Sequence, residues 1–103
     1  MSQANEYRGE ASLQVGGETL TLRPSFSALV AAEQELGPLF ELVERASEGK
    51  LALHEIASLF DHLSEGRPVA ITRDRIGDAV VEMGLAGISP TLRVILGQIL
   101  KGR

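Results

Sequence analysis

The stretch GEASLQVGGETLTLRPSFSALVAAEQELG, residues 9–37, decides the fold. Apolar and polar residues alternate on both sides of Gly16-Gly17, which indicates two β-strands. Two glycines between such runs are typical of a tight hairpin turn in which both positions take positive φ. The sequence therefore predicts a hairpin over residues 9–23. The predicted cross-strand pairs, all on one face, are Val15 with Glu18, Leu13 with Leu20, and Ala11 with Leu22.

Helix signals follow this hairpin along the rest of the chain. Pro24 ends the second strand, Ser25 occupies an N-cap position and Gly37 is a natural stop. Further on, apolar residues recur every three or four positions. The predicted helices span residues 25–36, 38–48, 53–64, 73–83 and 90–100, and residues 1–8 are expected to form a flexible tail. The predicted fold class is α+β: a two-stranded antiparallel hairpin packed on a bundle of four to five short helices, in one domain over residues 9–103.

The same patterns predict local details of the helices. The first helix is expected to bury Phe26, Leu29, Val30 and Leu36, and the third Ile56, Leu59, Phe60 and Leu63. In the second helix, Glu41 and Arg45 are spaced for an i,i+4 ion pair. Residues 84–87 are expected to break the chain before the last helix, with Ser89 as its N-cap and Pro90 at its first position.

Composition limits the possible functions. The chain has 103 residues, 44% hydrophobic but only 4% aromatic, so its core must be mostly aliphatic. The absence of cysteine excludes disulfides, zinc–thiolate sites and thiol catalysis. A net charge of −4 disfavours nucleic-acid binding. The first residues lack the pattern of a signal peptide and no apolar run approaches the ~20 residues of a membrane span. We therefore expect no membrane association and a cytoplasmic location in a bacterial host.

Candidate catalytic residues lie in the third predicted helix, but their spacing is unfavourable. His54 and His62 are separated by about 12 Å of helical rise and cannot share a metal ion. Ser58 and His62 are at i,i+4, yet Asp61 points away from that face and cannot orient the imidazole as a catalytic triad requires. A polar helix face is the simpler interpretation.

The other polar clusters also lack a chemical signature. Asp74, Asp78 and Glu82 form an acidic ridge, which a straight helix spreads over about 12 Å, so a solvated face is favoured over a cation site. Gly84 and Gly87 are not followed by the residues of a phosphate-binding loop. We expect no catalytic, cofactor or metal site, and no enzymatic activity.

Residues 72–100 have the outline of a helix-turn-helix. Its second helix would present Thr91, Arg93, Gln98 and Lys101 to DNA. The acidic ridge on the preceding helix would repel phosphate, so a small DNA-binding regulator stays an alternative of lower rank.

The last predicted helix is the richest apolar element of the chain. Its stripe either completes the core or receives a helix of a partner or of a second copy. The hairpin adds a second candidate surface, because both of its edges are formally open. The candidate partner-binding residues are Leu92, Val94, Ile95, Leu96, Ile99 and Leu100 in the last helix, and Leu13 and Leu20 in the hairpin.

Several short motifs resemble a known family over residues 8 to about 66. The motifs are Arg8-Gly9-Glu10, the Gly16-Gly17 hairpin, the run from Leu20 to Phe26, the helix from Ala28 to Gly37 with Glu33 at its midpoint, and Gly49-Lys50-Leu51. The sequence resembles the tail assembly chaperones of gene transfer agents and tailed phages, which are also described as tail tube proteins. The last third agrees in helix content and length.

The resemblance implies a non-enzymatic role in tail morphogenesis. Such chaperones coat the tape-measure protein and recruit tail tube subunits, so these proteins are the implied partners, and no cofactor is implied. A structural tube component is the alternative within the same family. Either role places the protein in the host cytoplasm or on the particle, and a homo-oligomer stays open.

Overall fold

The N-terminal hairpin forms in the predicted register. The computed structural model describes residues 10–102, so the predicted flexible tail, residues 1–8, lies outside the described residues. Strand β1 spans Ala11–Val15 and strand β2 spans Glu18–Leu22, and they form a two-stranded antiparallel sheet. The predicted pairs are confirmed: Val15 with Glu18, Leu13 with Leu20, and Ala11 with Leu22.

The hairpin turn differs from the prediction in one detail. Only Gly16 has a positive φ, at 62°, whereas positive φ was expected at Gly17 as well. A positive φ at the first central position alone is typical of a type II′ turn. A Cβ atom on Gly16 would lie 2.7 Å from Nη2 of Arg75, the flexible end of a side chain that can move aside, so the positive φ is the main reason for glycine here.

Four helices follow the hairpin. Helix α1 spans Phe26–Leu36, α2 spans Leu39–Ser47, α3 spans Leu53–Leu63 and α4 spans Arg73–Lys101. Helix α1 packs on α3, β1 lies against α4, and β2 contacts α3, so the hairpin rests on two helices. The predicted α+β class is confirmed.

Helix α3 occupies the centre of the core. Its predicted stripe is confirmed, since Ile56, Leu59, Phe60 and Leu63 are all buried. The inward face of the hairpin and one face of α4 pack around it. The buried side chains that these elements contribute include Leu13, Val15, Leu22, Ile76, Val80, Ile88 and Ile95.

Helix α1 begins and ends as predicted, and Leu29 and Leu36 of its predicted stripe pack against the core, but the stripe is not centred where it was expected. The Oγ atom of Ser25 accepts a hydrogen bond from the backbone N–H of Ala28 at 3.2 Å, which confirms the N-cap. The expected inward position of Phe26 is wrong, because this side chain is 85% exposed. Ala28 and Ala32 are buried instead, and their small side chains let α1 approach α3 closely.

The predicted Glu41–Arg45 pair is also corrected. Arg45 donates to both carboxylate oxygens of Glu55 in α3, at 2.7 and 2.6 Å. A two-pronged guanidinium–carboxylate contact is stronger than a single exposed i,i+4 pair, which explains the preference. Glu55 also accepts a hydrogen bond from the backbone N–H of Ala52 and so satisfies the start of α3.

Helix α4 contains a kink rather than a loop. Gly84 alone has non-helical backbone angles, φ 79° and ψ 160°, within the span from Arg73 to Lys101. The predicted break over residues 84–87 is therefore reduced to one residue. By length and composition alone α4 could cross a membrane, which the sequence analysis did not expect of any segment, and 22% of its most apolar window is buried in the fold.

The predicted start of the last helix is wrong as well. Ser89 lies inside α4, where its Oγ donates to the carbonyl oxygen of Leu85 at 2.8 Å, one turn earlier. Pro90 is likewise an interior residue of α4. A serine that donates to its own helix does not cap one, so the helical segment after the kink is longer than predicted.

Candidate functional site

A network of charged side chains joins α1, α3 and α4 beside the hairpin. Asp61 accepts hydrogen bonds from Arg67 and, at 3.0 and 3.1 Å, from Arg73. Arg73 also donates to both carboxylate oxygens of Glu35, and Nε2 of His62 lies 2.7 Å from Glu35 Oε1. These five residues are called the Arg73 network below.

The electrostatics of the network favour the charged forms of its members. Hydrogen bonds from Arg73, and then from His62, lower the pKa of Glu35 from 4.5 to about 2. The same contact with Glu35 raises the pKa of Arg73 above its usual value. Arg67 adds hydrogen bonds to the carbonyl oxygens of Ile71 and Asp61, and so holds the loop before α4. The network therefore stabilises the junction of three helices.

Three of the candidate catalytic residues, Ser58, Asp61 and His62, belong to this network or contact it. Ser58 is buried, with its Oγ 3.3 Å from Nη1 of Arg73. His62 contacts Glu35, while Asp61 binds two arginines, so the three side chains do not form a relay. Within residues 10–102 no group of three or more potential ligands is placed to hold a metal ion.

A second region, between α2 and the C-terminal part of α4, exposes apolar side chains instead of paired charges. Two adjacent concave surfaces of about 400 and 260 Å³ flank α2 and share Val43 and Leu100. Phe40 is 81% exposed here and Leu100 is 59% exposed. The other apolar side chains that line the two surfaces are Leu29, Leu39, Ala46, Leu92, Leu96 and Ile99. Together these surfaces are called the α2–α4 groove.

The comparison with protein families identifies the family of the chain. A family model described as "Phage tail tube protein, GTA-gp10" matches residues 8–102, nearly the whole chain. The chain belongs to this family. No curated protein and no solved structure matches the chain. The resemblance to gene transfer agent and phage tail proteins is therefore confirmed.

Membership of a tail tube family implies contacts with other tail proteins and association with the particle. A protein that contacts other tail proteins needs surfaces on which they can bind. The α2–α4 groove is the candidate site on that ground, because it leaves large apolar side chains exposed next to one another.

The structure divides the predicted partner-binding residues into three groups. Leu13, Leu20 and Ile95 are buried at 1%, 4% and 0% exposure, so their side chains belong to the core. Val94 is partly buried and packs on the core rim. The remaining four line the α2–α4 groove of this tail protein: Leu92, Leu96, Ile99 and Leu100.

Sequence reasoning missed the α2 side of the groove. Val43 and Phe40 were not among the predicted partner-binding residues, although Phe40 projects from α2 next to the predicted stripe of the last helix. The sequence carries no local signal for this side, because the exposure of Phe40 depends on how α2 packs on the other helices.

The helix-turn-helix interpretation loses its structural basis in this tail protein. Such motifs join two helices by a turn of three or four residues, whereas a single residue, Gly84, separates the two segments of α4. Of the residues proposed to face DNA, Arg93 lies on the wall of the α2–α4 groove. Thr91 and Gln98 are half-buried, and Lys101 is exposed at the end of α4.

Proposed function

We propose that this protein is a non-enzymatic tail assembly chaperone that binds helices of the tape-measure protein through the α2–α4 groove. The tape-measure protein is expected to be long and helical, with apolar faces that have no partner before the tube closes. A chaperone covers such faces by offering an apolar groove of its own.

The exposed apolar lining of the α2–α4 groove is the observation that carries the proposal. Phe40 and Leu100 are large, exposed and lie on the same surface, on α2 and α4 respectively. Burying a side chain of this size gains about 1.5–3 kcal/mol, so leaving two of them in water is costly without a partner. An amphipathic helix that presents apolar residues at i, i+3 and i+4 would cover them.

A structural tail component is the second candidate, and the wording of the family description favours it. The size of the sheet favours the chaperone, because only two strands occur within residues 10–102 and tube rings are usually built from larger sheets. The recruitment of tube subunits and a cytoplasmic stage in the host are further parts of the chaperone proposal.

Co-expression with the tape-measure gene tests the proposal. We expect the tape-measure protein to be insoluble alone and soluble in complex with the wild-type chain. Phe40→Ser and Leu100→Asp should each reduce its recovery in a pull-down at least tenfold. If both variants recover it as well as the wild type, the groove is not the binding site.

Phe26→Ser is the matched control for Phe40→Ser. Phe26 is equally exposed, at 85%, but does not line the α2–α4 groove, so this variant should retain full recovery. Mass spectrometry of purified particles separates the two candidate functions: a chaperone is absent from finished tails, while a structural component is present in many copies.

A further inference from the structure

A second groove lies between α3 and the N-terminal half of α4. It has a volume of about 650 Å³ and shares no lining residue with the α2–α4 groove. Ala57 and Gly77 lie close together in it: a Cβ atom added to Gly77 would be 3.8 Å from that of Ala57. Leu53 and Val81, 45% and 62% exposed, also line it. This surface is called the α3–α4 groove.

The charge in this groove is negative. Asp74 and Asp78 line it, and neither has an ion-pair partner within the part of the chain that the structure describes. Glu82 continues the same side of α4 one turn further on. Glu35, His54 and Arg73 also line the groove. The guanidinium of Arg73 does not offset the two aspartates, because it is already bound by Glu35 and Asp61.

The charge argues against a second copy as the occupant. A symmetric contact through this surface would bring two sets of uncompensated aspartates together, in a chain whose net charge is already −4. Like charges at a contact are costly, and complementary potentials favour association. The occupant that fits is therefore apolar in the middle and positive at its margins.

We propose that the α3–α4 groove docks an amphipathic helix of a partner protein, in which an apolar stripe is flanked by lysine or arginine. The side of the groove from Arg73 to Val81 is about 12 Å long, or roughly two helical turns. An apolar anchor of the partner lies over Ala57 and Gly77, between Leu53 and Val81. Basic residues one turn away on either side reach Asp74 and Asp78.

This site is additional to the proposed chaperone groove. Its lining is different and carries two aspartates without an ion-pair partner among the described residues, whereas the α2–α4 groove is lined mainly by aliphatic side chains and Phe40. One tail protein can therefore hold two partners at once, one on each surface.

Peptide binding to the full chain tests the site. The probes are two fluorescein-labelled synthetic helices with the same Leu/Ala stripe, one flanked by lysines and the other by glutamates, titrated by fluorescence anisotropy. We expect the lysine peptide to bind at least tenfold more tightly at 50 mM salt, and to weaken as salt is raised to 200 mM. Equal affinities of the two peptides would overturn the proposal.

Variants locate the binding. The double variant Asp74→Asn, Asp78→Asn should lower the affinity for the lysine peptide at least fivefold. Val81→Ser should also lower this affinity, without a change of charge. Glu18→Gln with Glu41→Gln is the matched control, because it changes the net charge by the same amount at exposed positions outside both grooves. If the control weakens binding as much as the aspartate pair, overall charge and not the groove is responsible.

Two further readouts keep the outcome distinct from the chaperone test. Circular dichroism of each variant confirms that the fold persists. Sizing chromatography shows whether the chain self-associates through this surface. Self-association there would overturn the choice of occupant. Phe40→Ser should leave binding of the lysine peptide unchanged, so failure at one groove does not imply failure at the other.

Discussion

The Arg73 network and the α2–α4 groove solve opposite problems within one small domain. In the network every carboxylate faces a cation, and within residues 10–102 every buried side-chain nitrogen or oxygen has a hydrogen-bond partner. In the groove, Phe40 and Leu100 stay exposed with no apolar cover. The charged groups of the network are paired, whereas the apolar side chains of the groove are not covered. Substitutions in the network should therefore change stability, and substitutions in the groove should change binding.

The largest expected effect comes from the core side of the helix that forms the groove. Ile95 is fully buried, so Ile95→Ala should lower the free energy of unfolding by about 2–5 kcal/mol. Leu100 lies on the exposed side of the same helix, so Leu100→Ser should lower the free energy of unfolding by less than about 0.5 kcal/mol. Urea unfolding of both variants measures the difference. Equal losses would mean that Leu100 belongs to the core and that the groove is not an open surface.

Asp61 offers the corresponding test of the network. Its carboxylate is 15% exposed and binds two arginines, which places it between exposed ion pairs and fully buried ones. We expect Asp61→Ala to cost about 2 kcal/mol in urea unfolding, because Arg67 and Arg73 lose their shared acceptor. Recovery of the tape-measure protein should stay at the wild-type level below the unfolding transition. A loss of recovery without a loss of stability would place the network at an interface.

The sequence predicts the hairpin and α3 well, the α2–α4 groove in part, and the Arg73 network not at all. The hairpin register follows from a period of two and a pair of glycines, all within a few residues, and the stripe of α3 follows from a period of 3.6. The network has no local signal, because Glu35 is 27 residues from His62 and 38 from Arg73. The α4 side of the α2–α4 groove was predicted, from the apolar stripe of the last helix. The α2 side was not, because the packing of distant elements decides which face of α2 lies beside that stripe.

The errors in the helices have a common origin in ambiguous local signals. Ser89-Pro90 is a good start for a helix, yet Gly84 turns the chain first and the helix is already under way at Ser89. In α1 the large Phe26 was assigned to the core and the small Ala28 was not, although close helix packing favours the alanine.

Alanine substitutions at two glycines near the kink should change the stability by smaller amounts and in opposite directions. Gly84 has φ 79° and ψ 160°, a region open to glycine alone, so Gly84→Ala should cost about 1–3 kcal/mol. Gly87 is in helical conformation, and a Cβ atom there would make an ordinary 3.7 Å contact with that of Met83. Gly87→Ala should therefore stabilise the protein by about 0.5–1 kcal/mol. Thermal unfolding of the two variants should shift in opposite directions, and a stabilised Gly84→Ala would show that α4 can straighten.

The last expected effect is a dependence of stability on pH, which the ion-paired glutamates confine to the acid range. The pKa of Glu35 is lowered to about 2 by Arg73 and His62, and that of Glu55 to about 2 by Arg45 and the N–H of Ala52. A carboxylate whose pKa is lower in the folded state stabilises the fold above its unfolded value of about 4.5, and this contribution is lost as the pH falls towards 2. The urea midpoint should therefore drop steadily from pH 5 to pH 2.5. In the double variant Glu35→Gln, Glu55→Gln the drop should be shallower, because neither position then takes up a proton, and a curve parallel to the wild type would show that other carboxylates control acid unfolding.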